Sequence, residues 1–213
     1  MFAVSQKGPS FDSQRHIYYF DGRPLVSVTQ VLSATGILPS FAFVDKVMLE
    51  RKRQIGGALH AALHYLQQGD LDENTVDERV KPRLDAYRLF VSDTSFKPID
   101  CELRMYPTVA GMQYGMTLDV TGTIKSQPYL IDFKSADGSV EKGWSIQLAA
   151  YEAGIPRPLV PPFRWRRLSL QLKKTGTYAK TEWTDPGDTQ EWKSALYLVY
   201  RRMARGSKPW EEK

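Results

Sequence analysis

Asp132 and Lys134 stand two residues apart at the end of an apolar run, in the stretch YLIDFKSADGS from Tyr129 to Ser139. In a strand, residues so spaced share one face, because side chains alternate. A carboxylate and an ammonium on one face can do phosphate chemistry, or they can form a plain cross-strand salt bridge. Spacing alone does not choose between these. The acid-x-Lys pattern occurs four times, at Glu50-Lys52, Asp132-Lys134, Glu191-Lys193 and Glu211-Lys213. About one occurrence is expected at ordinary charged-residue frequencies. The other three lie in charged, helix-like or terminal surroundings that solvated faces explain.

The context of the second occurrence is a candidate hairpin, MTLDVTGTIKSQPYLIDFKS. A turn centred on Ser126-Gln127, with Pro128 restarting the chain, pairs residues whose numbers sum to 253. Asp119 then lies opposite Lys134, with Asp132 diagonal to it and within the roughly 5–8 Å reach of cross-strand neighbours. Phe133 points the other way, into the core. Two carboxylates and an ammonium converge from an otherwise apolar hairpin, where unpaired charge is costly. A divalent cation relieves the repulsion, and Mg²⁺ or Mn²⁺ suits oxygen ligands. Such an ion lowers the pKa of a bound water and offsets charge growing on a phosphate. Lys134 would hold the attacking water or stabilise the developing oxyanion. From the hairpin alone, the salt bridge and the catalytic reading both stand.

Two further pairs bear on the choice. Gln147 and Tyr151 are i, i+4 neighbours in the segment after the hairpin and share a helix face. Upstream, Gly56-x-x-x-His60 is the single match of its kind, whereas Gln-x-x-x-Tyr also occurs at Gln14–Tyr18. His60 and His64 have the spacing of a helical zinc pair, but HAALH lacks the glutamate of that motif and no cysteine supports it. His64 reads as a half-buried helix residue.

The elements that must position these groups follow from periodicity. Residues 16–26 form a hairpin turning at Asp21-Gly22. Ser27 and Gln30 make a capping box for a short helix that Gly36 ends. Residues 41–68 are helical, with a break or close approach at Gly56-Gly57. Residues 75–92 are a second helix, strained at Pro82. Strands follow at 100–109, 116–125, 128–135, 165–173 and 176–183. A helix ending at Gly154 lies between the third and fourth of these, and an amphipathic helix over 188–205 closes the chain. Helices, a strand meander and strand–helix–strand give an α/β fold, a mixed central sheet flanked by helices.

The chain has 213 residues, 42% apolar and 12% aromatic, enough for one domain with a sizeable core. The domain is read as 1–26 arm, 27–92 helical part, 93–183 catalytic sheet and helix, and 184–213 C-terminal helix and tail. No run reaches the roughly 18 apolar residues of a membrane span, and the first ten residues do not read as a secretory signal. The single cysteine, Cys101, excludes an internal disulfide framework and a four-cysteine iron–sulfur or zinc site. A reducing, cytoplasmic setting is the natural reading. The formal charge is +5 and the pI about 9.2, which tilts toward polyanionic partners. Basic clusters stand at ERKRQ (50–54), RWRR (164–167), LKK (172–174) and YRRMAR (200–205). Each by itself is explained as a solubilising face.

The order Gly56-x-x-x-His60, Glu102, Asp119, Asp132-x-Lys134, Gln147-x-x-x-Tyr151 resembles the RecB-like branch of the PD-(D/E)XK nucleases. That branch includes lambda-exonuclease-like, CRISPR-associated and mitochondrial genome-maintenance exonucleases. The segments SVTQVLSATG and LQLKKTGTYAKTEWTDPGD resemble phage and prophage members, and the likeness spans most of residues 25–205. It implies a restriction-endonuclease-like core and Mg²⁺- or Mn²⁺-dependent hydrolysis of DNA in recombination, repair or phage replication. It implies His60, Asp119 and Asp132 as metal ligands, assisted by the Phe133 carbonyl. Glu102 fits the strand before the site, either as a further ligand or as an edge-strand surface acid. Lys134 is the implied catalytic lysine, with Gln147 and Tyr151 shaping the site. Arg166, Arg167, Ser135 and Tyr151 are the expected DNA contacts. The expected partner is linear DNA, single- or double-stranded, with a single-strand-binding or recombination protein as a further partner and no membrane. An endonuclease or flap trimmer of the same fold, and a silent DNA-binding module, are the alternatives. Members often carry glycine three residues before the first aspartate. Here that position is Met116 and the nearest glycine is Gly115, and no iron–sulfur cluster is expected.

Overall fold

The computed structural model describes residues 8–39, 45–138, 141–157 and 164–210. The chain opens with a three-stranded antiparallel sheet of β1 (Pro9–Asp12), β2 (Ile17–Phe20) and β3 (Arg23–Leu25). The expected hairpin supplies β2 and β3, and β1 adds a strand that sequence pattern did not suggest. Asp21 and Gly22 form its turn with φ of 50° and 73°, the left-handed pair that a tight two-residue turn needs. Ser27 then caps α1 (Val28–Ala34). Its Oγ accepts from Gln30 N at 3.2 Å, while Gln30 Oε1 accepts from Ser27 N at 2.8 Å. Both halves of the capping box are present.

α2 runs unbroken from Lys46 to Gln68, so Gly56-Gly57 is not a break. A Cβ on Gly56 would lie 3.8 Å from Ser135 Oγ, an ordinary contact distance, so no close approach requires glycine there either. The second expected helix begins later than its periodicity suggested. Glu73–Thr75 is a 3₁₀ turn, and α3 spans Lys81–Thr94. Pro82 therefore sits in the first turn, where its missing N–H has no partner to lose, and the expected strain is absent.

The strands β4 (Lys97–Met105), β5 (Thr108–Val109), β6 (Met112–Gln113), β7 (Met116–Ile124), β8 (Gln127–Lys134), β9 (Arg166–Leu172) and β10 (Tyr178–Trp183) follow, with α4 (Gly143–Gly154) between β8 and β9 and α5 (Gly187–Met203) last. The central sheet has the order β10-β9-β8-β7-β4. β8 and β9 are parallel across the α4 crossover, and the other neighbours are antiparallel. One face packs Ile131 and Phe133 against Leu59, Leu63, Leu84 and Phe90 of α2 and α3. The other packs Leu130 and Met116 against Val31, Leu148, Trp192 and Leu196 of α1, α4 and α5. The molecule is thus the expected mixed α/β sheet covered by helices. Among the described residues, no helix is long and apolar enough to cross a membrane.

The β7–β8 register differs from the expected one. Val120 pairs with Ile131, Gly122 with Tyr129 and Ile124 with Gln127, so paired numbers sum to 251 instead of 253. The turn residues are Lys125 and Ser126, both left-handed at φ 49° and 64°. Pro128 lies inside β8 opposite Thr123, before the β8–β9 pairing begins at Tyr129 and Arg166, so its lack of an N–H disturbs no ladder there. The difference is two residues, an even slip, which changes neighbours without exchanging faces.

Candidate active site

The sheet opens where its charged residues lie. The β7–β8 ladder stops at the Val120–Ile131 pair. Past that point Asp119 takes over with its side chain, and Phe133 N donates to its Oδ2 at 2.6 Å. Across β4, the register shifts between Pro98 and Cys101, and Glu102 has a left-handed backbone with φ 51°. Cys101 and Val120 pack into the α2–α3 core, whereas Leu103 and Leu118, two residues away on each strand, pack into the other. In a regular strand, residues two apart face the same way. Both strands therefore turn over at Glu102 and Asp119. Bulges of this kind re-aim side chains, and left-handed non-glycine residues concentrate at functional sites.

The turn-over aims both carboxylates at α2. His60 Nδ1 is 3.2 Å from Asp119 Oδ1 and 3.4 Å from Glu102 Oε1. One ligand atom from each of the three residues lies within 4.8 Å of the others. The Asp119 charge, above all, raises the His60 pKa well above its ordinary value, against the opposing effect of burial. The imidazole thus carries the positive charge that the two carboxylates require.

Asp132 belongs to an adjoining chain of contacts. Lys134 Nζ is 2.6 Å from Asp132 Oδ2 and donates to Gln147 Oε1 at 2.8 Å. The ammonium lies off the line that a directed hydrogen bond to that carboxylate oxygen needs, so Asp132 Oδ2 is buried without one. Gln147 Nε2 donates to Tyr151 OH at 2.8 Å. A lysine can only donate, so Gln147 must turn its carbonyl to Lys134 and its amide NH₂ to Tyr151. Burial pushes the Asp132 carboxyl up to about 6, with the Lys134 charge pulling it down and the Asp119 charge pushing it up. Burial, with the Asp132 and Asp119 charges behind it, holds the Tyr151 phenol far above its usual value and therefore neutral.

A cleft of about 400 Å³ joins these groups, lined on one side by His60, Glu102, Asp119, Asp132, Lys134, Gln147 and Tyr151. Phe133 stands beside them, its ring buried in the core and its N–H on Asp119. His64 is not in the cluster, and its ring meets Tyr65 edge-on.

Three of the expected DNA contacts lie elsewhere. Arg167 is only 5% exposed in its side chain and is not a surface residue. It lies 3.0 Å from Asp188 and 3.4 Å from Glu152, and it donates to the Ser145 and Asp185 carbonyls. Arg166 pairs with Glu182 at 2.6 Å and lies over the Tyr129 ring. Both line a second cavity at the other end of β8 and β9, because parallel strands place the start of β9 beside the start of β8. Ser135 lies at the exit of β8, and its carbonyl accepts from Arg83 at 3.2 Å. Nothing local in RWRR distinguishes a buried arginine from a solvated one. The cleft is also lined by Phe11, Tyr18 and Arg104, which sequence reading did not connect with the site. Tyr18 meets its partner Thr117 across 99 residues, a separation that leaves no local signal.

No known family and no curated protein matches this sequence. The fold is similar to that of a candidate exonuclease from Eubacterium rectale. The TM-score is 0.52 with 12% identity, over 85% of this chain and 80% of that one. At that identity the likeness shows the fold alone. An alkaline exonuclease from Laribacter hongkongensis matches with a TM-score of 0.39 and 15% identity, over 86% of this chain and 95% of that one. Its complex with dAMP matches at 0.37 and 14%. Scores at that level carry no argument.

Proposed function

We propose that this chain is a Mg²⁺- or Mn²⁺-dependent deoxyribonuclease that acts on DNA ends. The observation that carries the reading is the meeting in one cleft of His60, Glu102 and Asp119 with the Asp132–Lys134–Gln147–Tyr151 chain. The donor set of one imidazole and carboxylates fits a divalent first-row ion. A ligating imidazole is neutral, so such an ion would take over the charge that the His60 proton now supplies. Asp132, with an oxygen that accepts no directed hydrogen bond, and the Phe133 carbonyl are the further donors of this reading. When bound, the ion supplies an activated water and Lewis-acid stabilisation of the phosphate.

The protein's own groups then have separate tasks. Lys134, held from two sides, orients the attacking water and meets the charge that develops on the phosphate. Gln147 fixes the ammonium, and Tyr151 fixes Gln147. Positive charge for the approaching backbone comes from Arg51, Lys52 and Arg53, exposed on α2 about two turns before His60. The choice of ends over internal sites follows the description of the protein of similar fold as an exonuclease, and the experiment below decides it.

The test is digestion of end-labelled linear DNA and closed circular DNA with Mg²⁺, Mn²⁺ or EDTA. Loss of linear DNA alone, with either ion and not with EDTA, is the expected result. Cutting of circles would make the enzyme an endonuclease, and equal activity in EDTA would end the metal reading.

A further inference from the structure

The wall beside the carboxylates is built from Phe11, Tyr18, Thr117 and Arg104. The N-terminal sheet is seated just before β7, at Gly115, where a side chain has no room. A Cβ on Gly115 would fall 2.1 Å from Tyr18 Cγ. Gly115 N donates to the Val26 carbonyl at 3.0 Å, and its carbonyl accepts from Val28 N at 3.2 Å. Glycine here lets the Tyr18 ring lie flat on the strand, where its OH meets Thr117 Oγ1 at 2.8 Å. Thr117 pairs with Arg104 across the strands. Thr117 stands two residues before Asp119, and Arg104 two residues after Glu102. Both strands thus offer a carboxylate at one level and the wall at the next, about 7 Å away.

On that base sits a stack with a cationic outer layer. The Phe11 ring packs against Tyr18 at 4.8 Å and edge-on against His16 at 5.1 Å. The Arg104 guanidinium lies 4.0 Å over the Phe11 ring. Arg104 is exposed, Phe11 is half-buried, and no carboxylate among the described residues is within ion-pair distance of Arg104. A guanidinium laid on an aromatic ring offers a flat face for a base and N–H groups for a phosphate.

From this arrangement we infer that Phe11 and Arg104 form a subsite for one unpaired nucleotide next to the phosphate being cut. The base stacks on the Arg104–Phe11 layer, and Arg104 holds a neighbouring phosphate. A base inside a duplex has both faces covered by its neighbours, so this wall selects single-stranded or frayed ends. It does so with little regard to sequence, because every base has a π-face. The inference rests on the nuclease reading and names the substrate class of the same cleft.

The test measures binding of a fluorescent oligothymidylate and of an abasic oligomer of equal length, with Ca²⁺ replacing the catalytic ion. The intact protein is expected to bind the oligothymidylate about 10-fold or more tightly, the range of base–aromatic stacking. Phe11→Leu keeps the apolar bulk and Arg104→Gln keeps the surface polar, and each should erase most of that preference. Mn²⁺ binding in calorimetry should be unchanged in both variants, which separates loss of the subsite from loss of the fold. Equal affinity of the intact protein for the two oligomers, no binding of either, or a preference that survives both substitutions would overturn the subsite. Failure of the nuclease reading shows separately, as absence of metal-dependent hydrolysis of both linear DNA and bis(p-nitrophenyl) phosphate by the intact protein.

Discussion

Lys134 is gripped by Asp132 and Gln147, and its ammonium also lies 5.3 Å from the centre of the Trp144 ring. A lysine so fixed costs little to use at the moment of reaction. Lys134→Ala is expected to lower kcat by about 10²-fold or more with DNA affinity little changed, as for loss of a transition-state electrostatic group. Steady-state kinetics beside equilibrium binding checks this, and near-normal turnover would return the pair to a salt bridge. Glu102 allows a sharper separation of structure from function. A non-glycine residue in the left-handed region costs roughly 1–2 kcal/mol. Glu102→Gly should therefore hold or raise the unfolding free energy while weakening Mn²⁺ binding in calorimetry. If stability falls and Mn²⁺ affinity does not, Glu102 is a structural residue.

At the scale of the element, α2 is a long helix with two glycines that nothing in its neighbourhood demands. A Cβ at Gly57 would meet no atom within 4 Å, and its φ is not left-handed. Gly57→Ala should raise stability by about 0.5–1 kcal/mol, read from the urea midpoint at constant slope. Arg167 is the opposite case. It ties β9 to α4 and α5 through Asp188, which is buried, and Glu152, whose side chain is 31% exposed. Removing it leaves the buried Asp188 carboxylate without its cation, so Arg167→Ala should cost about 3–5 kcal/mol of stability. A stable variant with weakened DNA binding would instead restore this residue to the DNA path.

For the molecule as a whole, the two cores keep phenols neutral. Burial pushes Tyr87 up to about 12, although Gln67 donates to its oxygen. Burial raises Tyr114 as well, in the other core. In the unfolded chain a tyrosine ionises near pH 10, to about one unit. The folded state therefore holds these protons longer. The stability they give is complete below about pH 10 and is lost as pH rises through the folded values. Unfolding free energies from about pH 8 to about pH 11 should fall with pH, and Tyr87→Phe should flatten that fall. A profile unchanged in Tyr87→Phe would show that other groups govern alkaline unfolding.

Periodicity in the sequence determined most of the elements, as did local chemistry: the capping box at Ser27 and Gln30, the Asp21-Gly22 turn, the strands and the helix ending at Gly154. Alternation alone set Asp132 and Lys134 on one face with Phe133 on the other. These features depend on residues a few positions apart, where side-chain direction follows from backbone geometry. The turn at Lys125-Ser126 was misplaced by one residue, which shifts the pairing by two, because left-handed backbone at non-glycine residues leaves little mark in sequence. Only the tertiary structure set Glu102 beside His60, since that depends on a bulge and on strands turning over against two different cores. It alone buried Arg167 and brought Phe11 and Tyr18 to the cleft wall. Those placements are fixed by contacts between residues far apart in the chain, where packing and burial override what a local stretch prefers.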